Sequence, residues 1–114
     1  MIVAANFIGQ NLSGALLTSA TLDGALLSFA NLTHASMHES NLTFADLSDS
    51  QMAGADLTGI HARGVHLESA ELDNADMRNS SLAGADFRGA TWDEFTLWPE
   101  GIGPIYIYRE VNGT

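Results

Sequence analysis

The chain has 114 residues, 14 acidic side chains, four arginines and no lysine, for a formal net charge of -10 at pH 7. That balance disfavours binding to nucleic acid phosphates or anionic lipid, and the missing lysine excludes a P-loop or a Schiff base. With no cysteine there are no disulfides, thiolate zinc sites or cysteine nucleophiles. No apolar run approaches the roughly 18 residues of a spanning helix, and Met1 to Ala5 has neither region of a signal peptide, so a soluble, unexported, cytoplasmic chain is expected.

From Phe7 onward, large apolar residues recur every five positions. The column runs Phe7, Leu12, Leu17, Leu22, Leu27, Leu32, Met37, Leu42, Leu47, Met52 and Leu57, and then Ala62, Leu67, Leu72, Met77, Leu82, Phe87, Trp92 and Leu97. Only Ala62 is small, and the register is expected to hold without a slip to Leu97. Two residues before each member lies a column of small residues, mostly alanine with Ser40, Ser50 and Ser80, interrupted by Gln10, Ile60, Val65 and Phe95. Two residues after each member lie the repeat's glycines, among them Gly9, Gly54, Gly64 and Gly89, which marks that position as a turn.

The period selects the geometry. An α-helix turns about 100° per residue and would scatter residues five apart around its surface, and a flat strand would expose every second one. A chain that turns every five residues keeps them all inside. Four pentads to a coil give 20 residues, with neighbouring coils about 4.8 Å apart, so 19 pentads make about 4.75 coils and a rod about 23 Å tall.

Ala-Asp-Leu-Thr-Gly at 55–59, Ala-Asp-Met-Arg-Asn at 75–79 and Ala-Asp-Phe-Arg-Gly at 85–89 resemble the A(D/N)LXX motif of the pentapeptide-repeat family. The resemblance covers about residues 5–97. It implies an all-β chain, a right-handed quadrilateral β-helix in which the central residue and the small residue before it point inward. The expected organisation is a β-helix over 1–98 and a tail over 99–114, with Ile105-Tyr-Ile-Tyr-Arg-Glu-Val capping or flanking the last coil.

Stacking n on n+20 sorts the outward residues by face. Ile8, Leu26, Phe29 and Phe44 fall on or at the corners of the face that carries Leu27, Leu47 and Leu67, where polar residues are usual, and form the candidate binding or dimer surface. The alternative is that the phenylalanines fold back onto neighbouring turns. Higher on that face Asp46, His66 and Asp86 stack in one column, where acidic neighbours favour the imidazolium. Rungs about 4.8 Å apart are a poor match to metal-ligand distances of about 2.0–2.2 Å, so no metal or cofactor is expected.

His34, His38 and His61 read as solvated surface residues, because the helix that would give an i, i+4 histidine pair its meaning is absent. The sequons at Asn11, Asn31, Asn41 and Asn79 follow from the repeat itself, and no glycosylation is expected. Paired carboxylates such as Glu71 with Asp73, or Asp56 near Asp76, lack the cleft that tunes a catalytic pair. Asp23 is the only acid before Glu39, so the rod has an almost uncharged lower part and an acidic upper part.

With a filled interior, the chain reads as a non-enzymatic interaction scaffold, its partner another protein or a second copy, without direct nucleic acid or membrane binding. The alternative, implied by the resemblance to the quinolone-resistance members of the family, is an acidic rod that mimics DNA and binds gyrase. Against it, a rod of about 23 Å spans only about 7 base pairs.

Overall fold

The computed structural model describes residues 4–103. The chain winds as a right-handed quadrilateral β-helix. Its coils are joined by parallel bridges between residues 20 apart, from Asn6 with Leu26 to Glu71 with Thr91. We number the faces by their lowest central residue: face 1 is centred on Phe7, Leu27, Leu47, Leu67 and Phe87, face 2 starts at Leu12, face 3 at Leu17 and face 4 at Leu22. Levels are counted upward from Phe7.

Each pentad places its five backbone N–H groups in a fixed way. The central residue and the one two beyond it donate to the coil above, as Leu27 does to the Asp46 carbonyl (2.8 Å) and Phe29 to that of Ser48 (3.1 Å). The residue before the centre donates to the coil below, as Asp46 does to Ala25 (2.9 Å), and the next pentad's small residue closes the turn, as Ala30 does to Leu27 (3.1 Å). That closure with positive φ at its third residue, 61° at Phe29 and 69° at Gly9, is the pattern of a type II turn. One N–H is left per pentad, and an Asp or Asn before the centre accepts it: Ser48 N–H donates to Asp46 Oδ1 (3.0 Å) and Thr43 N–H to Asn41 Oδ1 (3.0 Å). The motif's Asp/Asn position thus completes the backbone accounting.

The inward columns form one continuous core, in which Leu27, Leu32, Met37, Leu42 and Met52 are fully buried. Ala62 is buried on face 4 among larger central residues, and the small column beside it carries Ile60 and Val65, also buried. These departures offset one another, since close packing requires volume removed at the centre to be returned nearby.

The register does slip once, contrary to the column read from the sequence. Asp76 pairs with Leu97, one residue beyond the spacing of every other pair, with Met77 N–H donating to the Leu97 carbonyl (2.7 Å). Leu97 therefore points outward, 42% exposed, Phe95 leaves the small column, and Thr96 and Trp98 take the two inward places. A phenylalanine in the small column would overfill the tube, whereas threonine fits. Trp98 meets Phe87 and Trp92 edge to face, with centroids 5.7 Å and 5.5 Å away, in an aromatic layer at the upper end of the core. The segment expected to cap or flank the last coil, Ile105 to Val111, lies outside the described residues.

Asp93 makes the extra residue possible. At equivalent places the N–H two beyond the centre donates to a backbone carbonyl, as Gly54 does to Asp73, but Asn74 N–H donates instead to Asp93 Oδ1 (2.9 Å). The same oxygen accepts Phe95 N–H (3.0 Å), while Thr96 Oγ1 donates to the buried Leu72 carbonyl (2.8 Å). A side chain has replaced a missing ladder carbonyl. These donors hold the Asp93 carboxyl below its usual range, the Asn74 amide contributing most.

Candidate functional site

On lower face 1 apolar residues stand outward beside Asn6 and Ser28. Phe29 and Phe44 are 65% and 62% exposed, Ile8 is 46% exposed, and Leu26 is half-buried, bridged to Asn6 below and Asp46 above. Phe29 stands at the corner that leaves level 2, and Phe44 at the corner that enters level 3. Both have positive φ, 61° and 57°, a conformation that bulky side chains rarely adopt. The Phe44 ring occupies the space that a Cβ on Gly64 would need, so it leans onto the coil above. Above Phe29 lies Asp49, which provides no such ledge.

Above this patch Asp46, His66 and Asp86 occupy consecutive bridge positions. Their side-chain partners lie along each coil rather than up the column. Asp46 Oδ1 accepts the Ser48 hydroxyl (2.6 Å), His66 Nδ1 lies 3.1 Å from Glu68 Oε1, and Asp86 is gripped by the Arg88 guanidinium (2.6 Å). That guanidinium holds the Asp86 carboxyl down to about 2. Glu68 and Arg88, which the sequence reading passed over, belong to the motif's variable position, whose residue is outward on every pentad. The signal that exposes them is the same 20-residue stacking used for the acidic column.

The remaining polar groups are distributed over the other faces. Face 3 repeats the aspartate–arginine arrangement, with Arg78 2.7 Å from Asp76, which lowers the Asp76 carboxyl. There too Thr58 Oγ1 donates to Asp56 (2.6 Å), which leaves His38 Nδ1–H to donate to Thr58 Oγ1 (2.7 Å). His34 leans over Gly54 as Phe44 does over Gly64. Upper face 2 carries Glu71, Asp73, Asp93 and Glu94 with no arginine, and face 4 carries His61 and Arg63. Among the described residues no group of three or more histidine or acidic side chains could hold a metal ion, and no helix is long and apolar enough to cross a membrane.

A tube with its interior filled and flat outward columns defines a repeat protein of the quadrilateral β-helix class. The pentapeptide-repeat profile matches residues 3–38, 20–59 and 63–91, and the chain belongs to the pentapeptide-repeat family. No curated protein matches it at a significant level. Among solved structures it is similar to the pentapeptide repeat protein Rfr23 of the cyanobacterium Cyanothece 51142, with TM-score 0.81 and 29% identity over 82% of this chain and 63% of that one. It is also similar to a pentapeptide repeat protein of the Arabidopsis thaliana thylakoid lumen, with TM-score 0.77 and 33% identity over 79% of this chain and 63% of that one. The chain thus spans less than two thirds of either structure's length. QnrB1, a plasmid-mediated fluoroquinolone resistance protein, aligns at 19% identity over 82% of this chain and 58% of that one, with a TM-score of 0.36 that carries no argument.

Proposed function

We propose that this chain is a non-enzymatic, cytoplasmic scaffold for protein–protein contact, with lower face 1 as its contact surface. The observation that carries the reading is the pair Phe29 and Phe44, each more than 60% exposed at a left-handed turn position that glycine or a polar residue such as Ser19, His34, Asp49 or Asn74 fills elsewhere among the described residues. A non-glycine residue there costs roughly 1–2 kcal/mol, and neither phenylalanine is buried in return. The polar residues at this position share that strain; what sets the pair apart is a large apolar ring left in solvent, and exposed aromatic anchors are the usual energetic centre of an interface.

The test replaces Phe29→Ser and Phe44→Ser together. The melting temperature is expected to stay or rise, while cross-links and co-purifying proteins of the wild-type chain are lost. If the double variant keeps every interaction and the oligomeric state of the wild type, the reading is wrong.

A second reading rests on charge. Upper face 2 carries Glu71, Asp73 and Glu94 without a cation, and the chain carries -10 overall, which suits an acidic rod that mimics DNA before gyrase or another DNA-binding protein. Arg78 and Arg88 neutralise aspartates on faces 3 and 1, and the lower coils are nearly uncharged, which confines the field to one stripe. Salt-sensitive inhibition of gyrase supercoiling, or protection of gyrase from a quinolone, would promote this reading. Absence of both over a wide concentration range would remove it.

A further inference from the structure

Face 1 presents two outward columns, one before and one after the central residues, and on its upper levels each acidic side chain has a hydrogen-bonding or basic partner beside it. On level 4 His66 stands beside Glu68, and on level 5 Asp86 stands beside Arg88. Bridge pairing sets His66 beneath Asp86, and the same 20-residue step sets Glu68 beneath Arg88. Below this grid lies the apolar patch.

We infer that a second copy of this chain packs on face 1 about a twofold axis parallel to the tube. The inference rests on the reading of that face as the contact surface and names its occupant. Under this operation each level meets the same level, and the column before the centre lies against the column after it. His66 then faces Glu68 of the partner subunit, Asp86 faces Arg88 of the partner subunit, and Asp46 faces Ser48 of the partner subunit. At no level of these three do like charges meet.

At the edges, Phe29 comes over the partner subunit's Gly24, beside which a side chain meets open space, with nothing within 4 Å of a Cβ built there. It lies one level below the partner subunit's Phe44, within reach of the centroid separations of about 4.5–7 Å that aromatic pairs adopt. The two phenylalanines of one chain occupy opposite corners of the face, so the twofold axis makes this contact twice.

The alternatives lack either the charge match or the apolar contact. Antiparallel packing of face 1 centred on level 3 lays Asp46 against its own copy. The parallel operation sets Glu71 against Asp73 on face 2, and on face 4 it gives Arg63 no acidic partner at His61. Face 3 opposes Asp76 to Arg78 favourably but lacks the exposed phenylalanines. On face 1, moreover, the uncompensated acids of face 2 are held away from the interface. Five levels about 4.8 Å apart make a strip narrower than the roughly 800 Å² per partner of a standard interface, so the association is reversible and depends on concentration.

Sedimentation velocity from about 10 μM to about 1 mM tests this. Wild type is expected to become dimeric in the upper part of that range. Asp86→Arg and Arg88→Glu are each expected to remain monomeric, because each sets like charges across level 5. An equimolar mixture of the two regains the dimer, since one chain then carries two positive groups and the other two negative ones. Circular dichroism confirms that each variant is folded. A wild type that stays monomeric at the highest concentration overturns the inference and leaves the contact-surface reading to the Phe29 and Phe44 test. A dimer that persists in either charge variant alone also overturns it, by showing that another surface is used.

Discussion

Ser40 and Ser50 occupy the same kind of inward position and differ in one bond. Ser50 Oγ donates to the Leu47 carbonyl at 2.7 Å, whereas the equally buried Ser40 Oγ has no partner. A buried hydroxyl without a hydrogen bond costs stability, whereas a satisfied one contributes about 1 kcal/mol. Ser40→Ala is therefore expected to raise stability by about 1 kcal/mol and Ser50→Ala to lower it by a similar amount. Urea unfolding with an unchanged m-value reads both, and equal effects in the two variants would refute the distinction. The sequence shows serine in both places, as at Ser80, and mostly alanine elsewhere in that column. Only the rotamer in the folded tube separates a bonded hydroxyl from an orphaned one.

At the scale of the pentad, the columns of leucine, alanine and glycine identify the tube and the coil length, because period five admits no other arrangement that buries the whole series. The slip near the upper end escapes such counting. Leu97 keeps the period by coincidence, while the residue inserted after Trp92 moves Trp98 into the core. Two nearby anomalies did mark the place: Phe95 is too large for the small column, and Trp98 stands just past Leu97. Periodicity weighs each column separately, whereas the tube fixes the volume of both together, as Ala62 with Ile60 and Val65 also shows. The candidate site was legible to the same degree: stacking places Phe29, Phe44 and the Asp46, His66 and Asp86 column, and sets Glu68 under Arg88, but the lateral contacts of Glu68 and Arg88 depend on rotamers that stacking does not show. Asp93 carries the element-scale prediction, because its carboxylate replaces a ladder carbonyl for Asn74 and holds the Phe95 turn. Asp93→Ala is expected to abolish hydrogen-exchange protection of the Asn74 amide and to lower the temperature at which tryptophan fluorescence shifts. Asp93→Asn, which keeps Oδ1 as an acceptor, should restore most of the protection. Unchanged exchange at Asn74 in the alanine variant would show that the carboxylate does not bear the slip.

Across the whole molecule, the carboxyls that the fold holds down lie in its upper half: Asp76 and Asp86 through their arginines, and Asp93 through backbone donors. All three shifts are downward, so linkage has one sign. Their contribution is fully present above the unfolded carboxyl value of about 3.9 and is lost as pH falls through the folded values, which reach about 2 at Asp86. Stability is therefore expected to fall between about pH 4 and about pH 2, and the upper coils should loosen before the lower ones. Salt separates the causes. The Asp76 and Asp86 pairs are largely exposed and are screened by added salt, whereas Asp93 acts by accepting hydrogen bonds from the backbone amides of Asn74 and Phe95. Acid unfolding followed by the fluorescence of Trp92 and Trp98, both in the last coil, should thus keep much of its pH dependence in high salt for wild type and lose it in Asp93→Asn. A tryptophan signal equally sensitive to acid in both chains would assign the loosening to the arginine pairs instead, and the upper end of the rod would then be held by its surface charges rather than by one aspartate within the ladder.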